Sequence, residues 1–409
     1  MRNIIIVEPQ SSGLKLVEQA LEEGYQVWLA SAEIGERNIP DSFKNKIAGI
    51  IHCDSMSADN IFQEVQKISV EKGINFEAVI PGFEYYVDVC AKVAKDLSLN
   101  SLDVENARCC RLKNLMRERL KQNKVDVPDF IFLKSEQTEQ DIPSEFPFPA
   151  IIKPVNMSGS MHVYKVYSRA ELAEKIKIII NSNDNDLDLA VSKELLIEEY
   201  IDGDEFSVEG IVNSLNGEIH IWSVTRKLLG GASGFVEIGH IVSDFSKLDN
   251  ADQMIAYTKQ VVLALGIDKG PFHAELSFCK KRKQPILMEI GARLAGDHLP
   301  ELISEARGTS FFKSALNSLL MQDIEKPQLW QGASGICFLL RNQDQLTAKI
   351  EQKLDCIDWK YLKEMHWTVA HDTQIHGDFR DRICTARFYG ENIIELEHEM
   401  KQFYELNQL

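Results

Sequence analysis

The chain has 409 residues, 44% hydrophobic and 26% charged, the balance of a soluble globular protein too long for one ordinary core. Its net charge of −17 argues against nucleic acid or anionic membrane as a main partner, and leaves any anionic substrate to local basic clusters. No apolar run approaches a membrane span, and the start MRNIIIVEP is too short in its apolar part for a signal peptide. Eight scattered cysteines without a CxxC predict a reduced, cytoplasmic chain with neither a disulfide framework nor a zinc site.

Residues 1 to about 104 alternate between strand and helix. NIIIV is a buried strand, LKLVEQALEEG a helix closed by Gly24, and YQVWLA a second strand. IAGIIHCD, the helical DNIFQEVQKISVEKG and FEAVIPG repeat the theme, which predicts a parallel sheet covered by helices. The turn EPQSSG lacks G-x-G-x-x-G, so this Rossmann-like domain is structural or contributes substrate contacts, and a dinucleotide site is not expected. NARCCRLKNLMRERLKQNKV then reads as one charged helix ending before Val127-Pro128. Of its basic residues, Arg108, Arg111, Arg117 and Arg119 read as a solvated face, and Lys113 is held open.

The proline-punctuated PSEFPFP leads into the strand AIIKP, which carries Lys153 into the loop Ser158-Gly159-Ser160 and back as another strand. Amides of such a loop can cradle phosphate while the lysine adds a point charge, although this is not a Walker A motif. A helix (AELAEKIKIII) follows, then LLIEEYIDGDEFSVEGIV, two strands joined through an acidic turn. By itself this is an acidic hairpin. In context its backbone at 199–201 can offer a carbonyl and an amide to a purine edge, and Glu205 can accept from ribose hydroxyls. WSVTRKLLGGASGFVEIGHIVSD combines Arg226-Lys227, a mobile GGASG loop and His240 in an apolar frame.

PFHAELSFCKKRKQPILMEIGARLAGD, from Pro271 to Asp297, is the most informative stretch. FHAELSF and ILMEI alternate with period two around a basic turn, the pattern of a β-hairpin. Phe272, Ala274, Leu276 and Phe278 with Ile286, Met288 and Ile290 form its apolar face; His273, Glu275 and Ser277 with Leu287, Glu289 and Gly291 form the other. A turn centred near Arg282 sets Glu275 opposite Glu289, with Cβ atoms roughly 5 Å apart, where like charges repel. A cation between them is the expected remedy, and oxygen-only ligands favour Mg2+ or Mn2+. The turn lysines Lys280, Lys281 and Lys283 do not stand opposite the acids. Arg293, four residues on, is a fork-shaped cation suited to phosphate or carboxylate. LPELISEARG and FFKSALNSLL are core helices, and the last eighty or so residues form a mixed α/β unit in which no chemistry is read. His366, His371 and His376 recur every five residues, a spacing that suits neither a helix face nor a strand face, and read as surface histidines without a metal.

Strand-borne Lys153, the small-residue loop, EEYIDGDE, and paired Glu275 and Glu289 with Arg293 together resemble the ATP-grasp superfamily over roughly residues 105–330. FHAEL, the ExxAR-x-AG run at 289–296 and a separate carboxy-terminal unit resemble its L-amino-acid ligases, which join two amino acids. The resemblance implies an α/β fold: a Rossmann-like preceding domain (1–104), an ATP-grasp domain of two α+β subdomains (105–330, lid about 150–212) and a small C-terminal α/β subdomain (331–409). It implies ATP and Mg2+ (or Mn2+). Lys113 and Lys153 would contact the ATP phosphates together with Ser158, Gly159 and Ser160. Glu198, Glu199 and Ile201 would line the adenine edge and Glu205 the ribose. Glu275 and Glu289 would hold two Mg2+, and Arg293 and His240 would face the transferring phosphoryl group. Gly291 stands where many members carry a metal-binding Asn, a loss that the dipeptide-ligase branch tolerates and that weighs against carboxylases.

The implied reaction joins amino acids through an acyl phosphate, releasing ADP and phosphate, in a cytoplasmic enzyme with small-molecule amino-acid substrates and neither nucleic acid nor membrane as partner. Monomer and homodimer both stay open. Two other readings remain: a biotin-carboxylase-like enzyme using bicarbonate, and a nucleotide-binding sensor without turnover, against which the intact Glu275, Glu289 and Arg293 speak. If the two acids simply repel, Glu275→Gln or Glu289→Gln should abolish turnover yet leave the metal-free protein as stable as before or slightly more so, as a thermal melt beside an activity assay will read.

Overall fold

The alternating first hundred residues close into a four-stranded parallel sheet in the computed structural model, which describes residues 2–231, 234, 236–341, 353–354, 357–368 and 379–406. Its strand order is Gly49–His52, Gln26–Ser31, Asn3–Val7, Phe76–Pro81. Alternate side chains of the central strand serve two cores. Ile4 and Ile6 pack toward the helices Leu299–Arg307 and Phe311–Leu319. Ile5 and Val7 meet Trp28, Tyr85 and Val93 on the other face. Just past the strand, Glu8 is fully buried and accepts from the Ser31 hydroxyl (2.7 Å), the Ala32 amide (2.8 Å) and the Ser55 hydroxyl (2.6 Å).

The charged segment forms two helices rather than one. Asp103 caps Val104–Cys109 through the amides of Glu105 and Asn106, residues 110–112 break the run, and Lys113–Gln122 starts afresh. The amide of Lys113 donates to the Val155 carbonyl (3.1 Å), which seats the new helix on the neighbouring subdomain. The break turns Arg111, Lys113 and Arg117 inward. The expectation of a solvated face therefore fails for Arg111 and Arg117, which are buried because carbonyl and carboxylate partners await them.

The lid is an antiparallel sheet in the order Phe130–Leu133, Leu195–Glu199, Ala150–Pro154, Tyr164–Val166, packed against the helix Arg169–Asn181. LLIEE and GDEFSVEGIV are not a hairpin. The first belongs to the lid sheet, whereas the second, Gly203–Val212, enters an eight-stranded sheet, so the acidic turn between them joins two subdomains. That sheet runs Gln284–Gly291, Gly270–Cys279, Gly203–Val212, Ile219–Gly230, Val236–Val242, Ala333–Leu340, Arg382–Gly390, Leu362–Trp367. Its last three strands come from the carboxy-terminal unit, with the helix Ile393–Glu405 packed on them. Trp222, wholly buried, meets the Phe311 ring edge-on at 5.1 Å between this sheet and the core helices. His366 is exposed on Leu362–Trp367; His371, His376, and Ala232 and Ser233 of the glycine loop lie outside the described residues. No helix among the described residues is long and apolar enough to cross a membrane.

Between helix and lid sheet sits a buried charge triad. Arg117 donates to Glu198 through Nε, and Lys153 Nζ lies 2.6 Å from the other carboxylate oxygen. Burial alone would raise the Glu198 pKa, but Arg117 and then Lys153 outweigh it and hold it down at about 2. A depressed carboxyl contributes stability above its ordinary 4.5 and loses it as pH falls toward 2. Glu198→Gln should therefore flatten the acid side of the stability curve between those two values, read by urea titration at stepped pH. Arg117→Met should cost about 3–5 kcal/mol, since it strips a buried charge of its main partner.

Candidate active site

The hairpin forms as the alternation predicts, and Glu275 stands directly opposite Glu289. Its faces differ from strict alternation at one point. A bulge after Glu275 pairs Leu276 with Leu287, which leaves Met288 as the extra residue. Leu287 consequently joins Leu276 and Phe272 in the core, and Met288 turns into a cavity. Ile286 packs with Ile201 and Cys279 in a small separate cluster. Beyond a bulge every side chain changes face, so period two could not carry the assignment through it.

That cavity has a volume of about 470 Å³ and lies where the N-terminal domain, the lid and the large sheet meet. It brings together Lys113, Lys153, the loop Ser158-Gly159-Ser160 and Ile201 from the helix and lid side. Glu205, His240, Glu275, Glu289 and Arg293 face it from the sheet. Two predicted residues do not line it. The Glu198 carboxylate belongs to the buried triad, and Glu199 pairs with Arg282 of the hairpin turn and accepts from the Asp129 amide (3.0 Å). The backbone there is also partly committed, since the amides of Glu199 and Tyr200 donate to the Asp129 and Pro149 carbonyls at 2.9 and 3.1 Å. Of the three residues proposed for the adenine edge, only Ile201 faces the space.

Ammonium groups, not the turn lysines, balance the opposed acids. Lys227 Nζ lies 2.6 Å from Glu275, 2.6 Å from Glu237 and 3.5 Å from Glu205. Burial alone would lower the Lys227 pKa, but these three carboxylates raise it well above its ordinary value. Burial likewise pushes Glu275 up, and Lys227 and His273 overcome it, holding the carboxyl well below its usual range. Lys113 donates to Glu289 (2.7 Å) and to the Met157 carbonyl (2.5 Å). Glu289 is nevertheless raised, by burial first, then by Glu84 and Glu275 against the pull of Lys113. His273 bridges Glu209 (2.9 Å) and Glu275 (3.3 Å); burial lowers its pKa, but these bonds win and raise it to about 9.

Arg293 is held by Glu84 of the N-terminal domain, to which its Nε donates at 3.0 Å, and not by Asp297. Asp297 instead accepts from both terminal nitrogens of Arg382 (2.6 and 3.0 Å) and lies 3.1 Å from His240 Nε2. Glu237, His240 and Asp297 bring ligand atoms within 4.8 Å of one another, but the Arg382 guanidinium already supplies the positive charge there. Arg382 and Phe379 both line the cavity, so the carboxy-terminal unit does contribute chemistry-bearing side chains, contrary to expectation. Gly159 adopts φ 63°, and a Cβ there would come within 2.6 Å of the Phe379 ring, so glycine is required both for the backbone and for the contact.

Sequence reading thus passed over Lys227, Glu84, Glu237 and Arg382. Lys227 carried a faint signal, a basic pair beside a glycine loop; Glu84 and Arg382 carried none, because their partners are remote in the chain. The opposed Glu275 and Glu289 form an oxygen-only donor pair facing one cavity beside two lysines, a set that suits Mg2+ or Mn2+ completed by phosphate oxygens.

The site thus sets paired acids on a sheet hairpin against Lys153 of the lid and Lys113 of the helix beside it. Residues 146–301 match the model of the ATP-grasp domain, and the chain carries that domain. It is 25% identical over 327 residues to dapdiamide A synthase of Enterobacter agglomerans, covering 78% of this chain and 73% of the synthase. It is 24% identical over 348 residues to alanine–anticapsin ligase of Bacillus subtilis (strain 168), covering 78% and 69%. Among solved structures, the L-amino acid ligase of Bacillus licheniformis superposes with a TM-score of 0.78 at 21% identity, over 98% of this chain and 97% of that one.

The ion pairs reverse the stability expected of the metal-free variants. Glu275→Gln takes a charged partner from both Lys227 and His273, so it should cost about 1–3 kcal/mol in urea denaturation without metal. An unchanged or higher midpoint would show that these pairs carry no net stability.

Proposed function

We propose that this protein is an ATP-dependent carboxylate–amine ligase that joins amino acids through an acyl phosphate and releases ADP and phosphate. The observation that carries the reading is one cavity in which opposed Glu275 and Glu289, lysines 113 and 153, and Arg293 face the same space. Similarity to dapdiamide A synthase and alanine–anticapsin ligase, and a fold shared with an L-amino acid ligase, support it.

In this reading Lys113, Lys153 and the amides of the Ser158-Gly159-Ser160 loop bind the phosphates, Ile201 contacts the base and Glu205 the ribose. Glu275 and Glu289 would hold Mg2+, which when bound neutralises charge on the phosphate oxygens. A substrate carboxylate oxygen attacks the γ-phosphorus and the bond to the β–γ bridging oxygen breaks, so ADP leaves. An amine then attacks the acyl carbon, loses a proton, and phosphate departs with the former bond electrons. Arg293 faces the transferring group with its fork braced on Glu84, so its orientation is set before charge develops. His240, oriented through Nε2 by Asp297, faces the acyl phosphate. The lid loop over the cavity keeps water from the intermediate.

Chromatography of reactions with Mg-ATP and pairs of amino acids should show ADP, formed only when an amino-acid carboxylate is present. AMP as product, or ADP formed with bicarbonate alone, would overturn the reading. Arg293→Met should lower kcat by about 10²–10³-fold, the loss of one pre-organised donor, and Arg293→Lys should recover only part, because it lacks the planar fork. Normal turnover per folded molecule in both variants would make Arg293 structural.

A further inference from the structure

A short segment of the lid reaches across to the N-terminal domain. Within residues 185–190, Asn185–Asp186 pairs antiparallel with Leu189–Ala190. The two turn residues, Leu187 and Asp188, both take left-handed backbone angles, φ 48° and 64°, as a tight two-residue hairpin requires. Leu187 and Leu189 pack against the N-terminal core that contains Tyr85, and Asp186 and Leu187 also line the cavity.

The N-terminal domain meets this hairpin with groups prepared for it. Arg37 is only 5% exposed, lies 3.7 Å from the buried Glu8 carboxylate and donates to the Ser55 hydroxyl (3.2 Å). Its remaining terminal nitrogen pairs with Asp188. Open α/β sheets usually bind ligands at the carboxyl ends of their strands. Here Glu8, Ser31 and Ser55, all at the carboxyl ends of these strands, form a hydrogen-bonded cluster that holds the buried Arg37 guanidinium toward the lid. The Tyr85 hydroxyl supplies a second tie: it lies 2.9 Å from the Ser158 hydroxyl of the small-residue loop and donates to Asp186 of the hairpin at 2.5 Å. Arg111 stacks over the Tyr85 ring at 4.6 Å while donating to the Asn156 carbonyl of the same loop at 2.5 Å.

We propose that hairpin 185–190 is a clasp through which the N-terminal domain positions the loop 156–162, with Tyr85 as the positioning residue and Arg37–Asp188 as the second fastening. Met157 and Met161 anchor the loop's shoulders in the lid core, but Ser158-Gly159-Ser160 between them have no apolar side chain to hold the tip in place. Tying it to Tyr85 keeps its amides directed at the cavity and lowers the entropy lost when phosphate binds. The role deepens the reading of this loop as the phosphate cradle and rests on it, but the clasp itself can be read without nucleotide.

Tyr85→Phe keeps the ring under Arg111 and removes only the hydroxyl. Asp188→Asn keeps a side chain that tolerates the left-handed turn and removes the charge paired with Arg37. Hydrogen exchange of 156–162 and 185–190 is followed in the nucleotide-free protein, beside a thermal melt and the affinity for a non-hydrolysable ATP analogue with Mg2+. Both segments should exchange faster in each variant while the rest of the chain and the melt hold. Analogue affinity should fall by about ten-fold, the effect of one or two net hydrogen bonds. Wild-type exchange in both segments overturns the clasp. So does an equal rise across the whole N-terminal domain, which would make Tyr85 merely structural. If the wild-type protein binds no analogue, the ligase reading fails, and exchange alone still decides the clasp.

Discussion

Two carboxylates held side by side facing one cavity repel unless cations are brought to them, and the architecture around Glu275 and Glu289 answers that constraint. Lys227, from a strand two places away in the same sheet, serves Glu275 and two further acids. Lys113, at the start of a helix seated on the lid, serves Glu289. Arg293 is neutralised by Glu84 of the N-terminal domain and Asp297 by Arg382 of the carboxy-terminal unit. Every part of the chain thus contributes a charge to one space, so positive and negative groups alternate around it.

Such a lattice of buried ions is a poor source of stability by itself, because desolvation offsets much of the attraction. What it supplies is position. A phosphate-bearing ligand and its metal entering this cavity would find ammonium and carboxylate groups already separated and held by other charges, with little reorganisation needed. The alternating arrangement also explains why neighbouring carboxyls titrate in opposite directions: Glu275 falls because Lys227 and His273 overcome its burial, and Glu289 rises because burial and two other acids overcome Lys113.

The lid is bound into the same system from two sides. Glu198, paired with Lys153 inside the lid, ties it to Arg117 of the neighbouring helix, and Arg37 and Tyr85 meet its outer hairpin. Phe379 lies over the loop at Gly159, so the carboxy-terminal unit closes the third side. The glycine's missing side chain is what lets that ring approach.

Much of this was legible in the sequence where the determining physics is local. Period two set the hairpin and put both acids on it, but counted from the turn, where Cys279 pairs with Gln284, Glu275 would face Met288; the bulge completes its opposition to Glu289. Alternating strand and helix set the parallel sheet, and a lysine-bearing strand running into small residues set a loop that lines the cavity. The failures were of the opposite kind. The bulge at Met288 moved Leu287 into the core, since one extra residue reverses every later face. The break at 110–112 turned arginines inward that a continuous helix would have left in solvent. The partners of Glu275, Glu289 and Arg293 lie 48, 176 and 209 residues away. By itself, then, the sequence determined which side chains could do chemistry and which two acids share one hairpin. Only the tertiary structure decided which cations balance them, because an ion pair depends on distance and burial in space, and separation along the chain encodes neither.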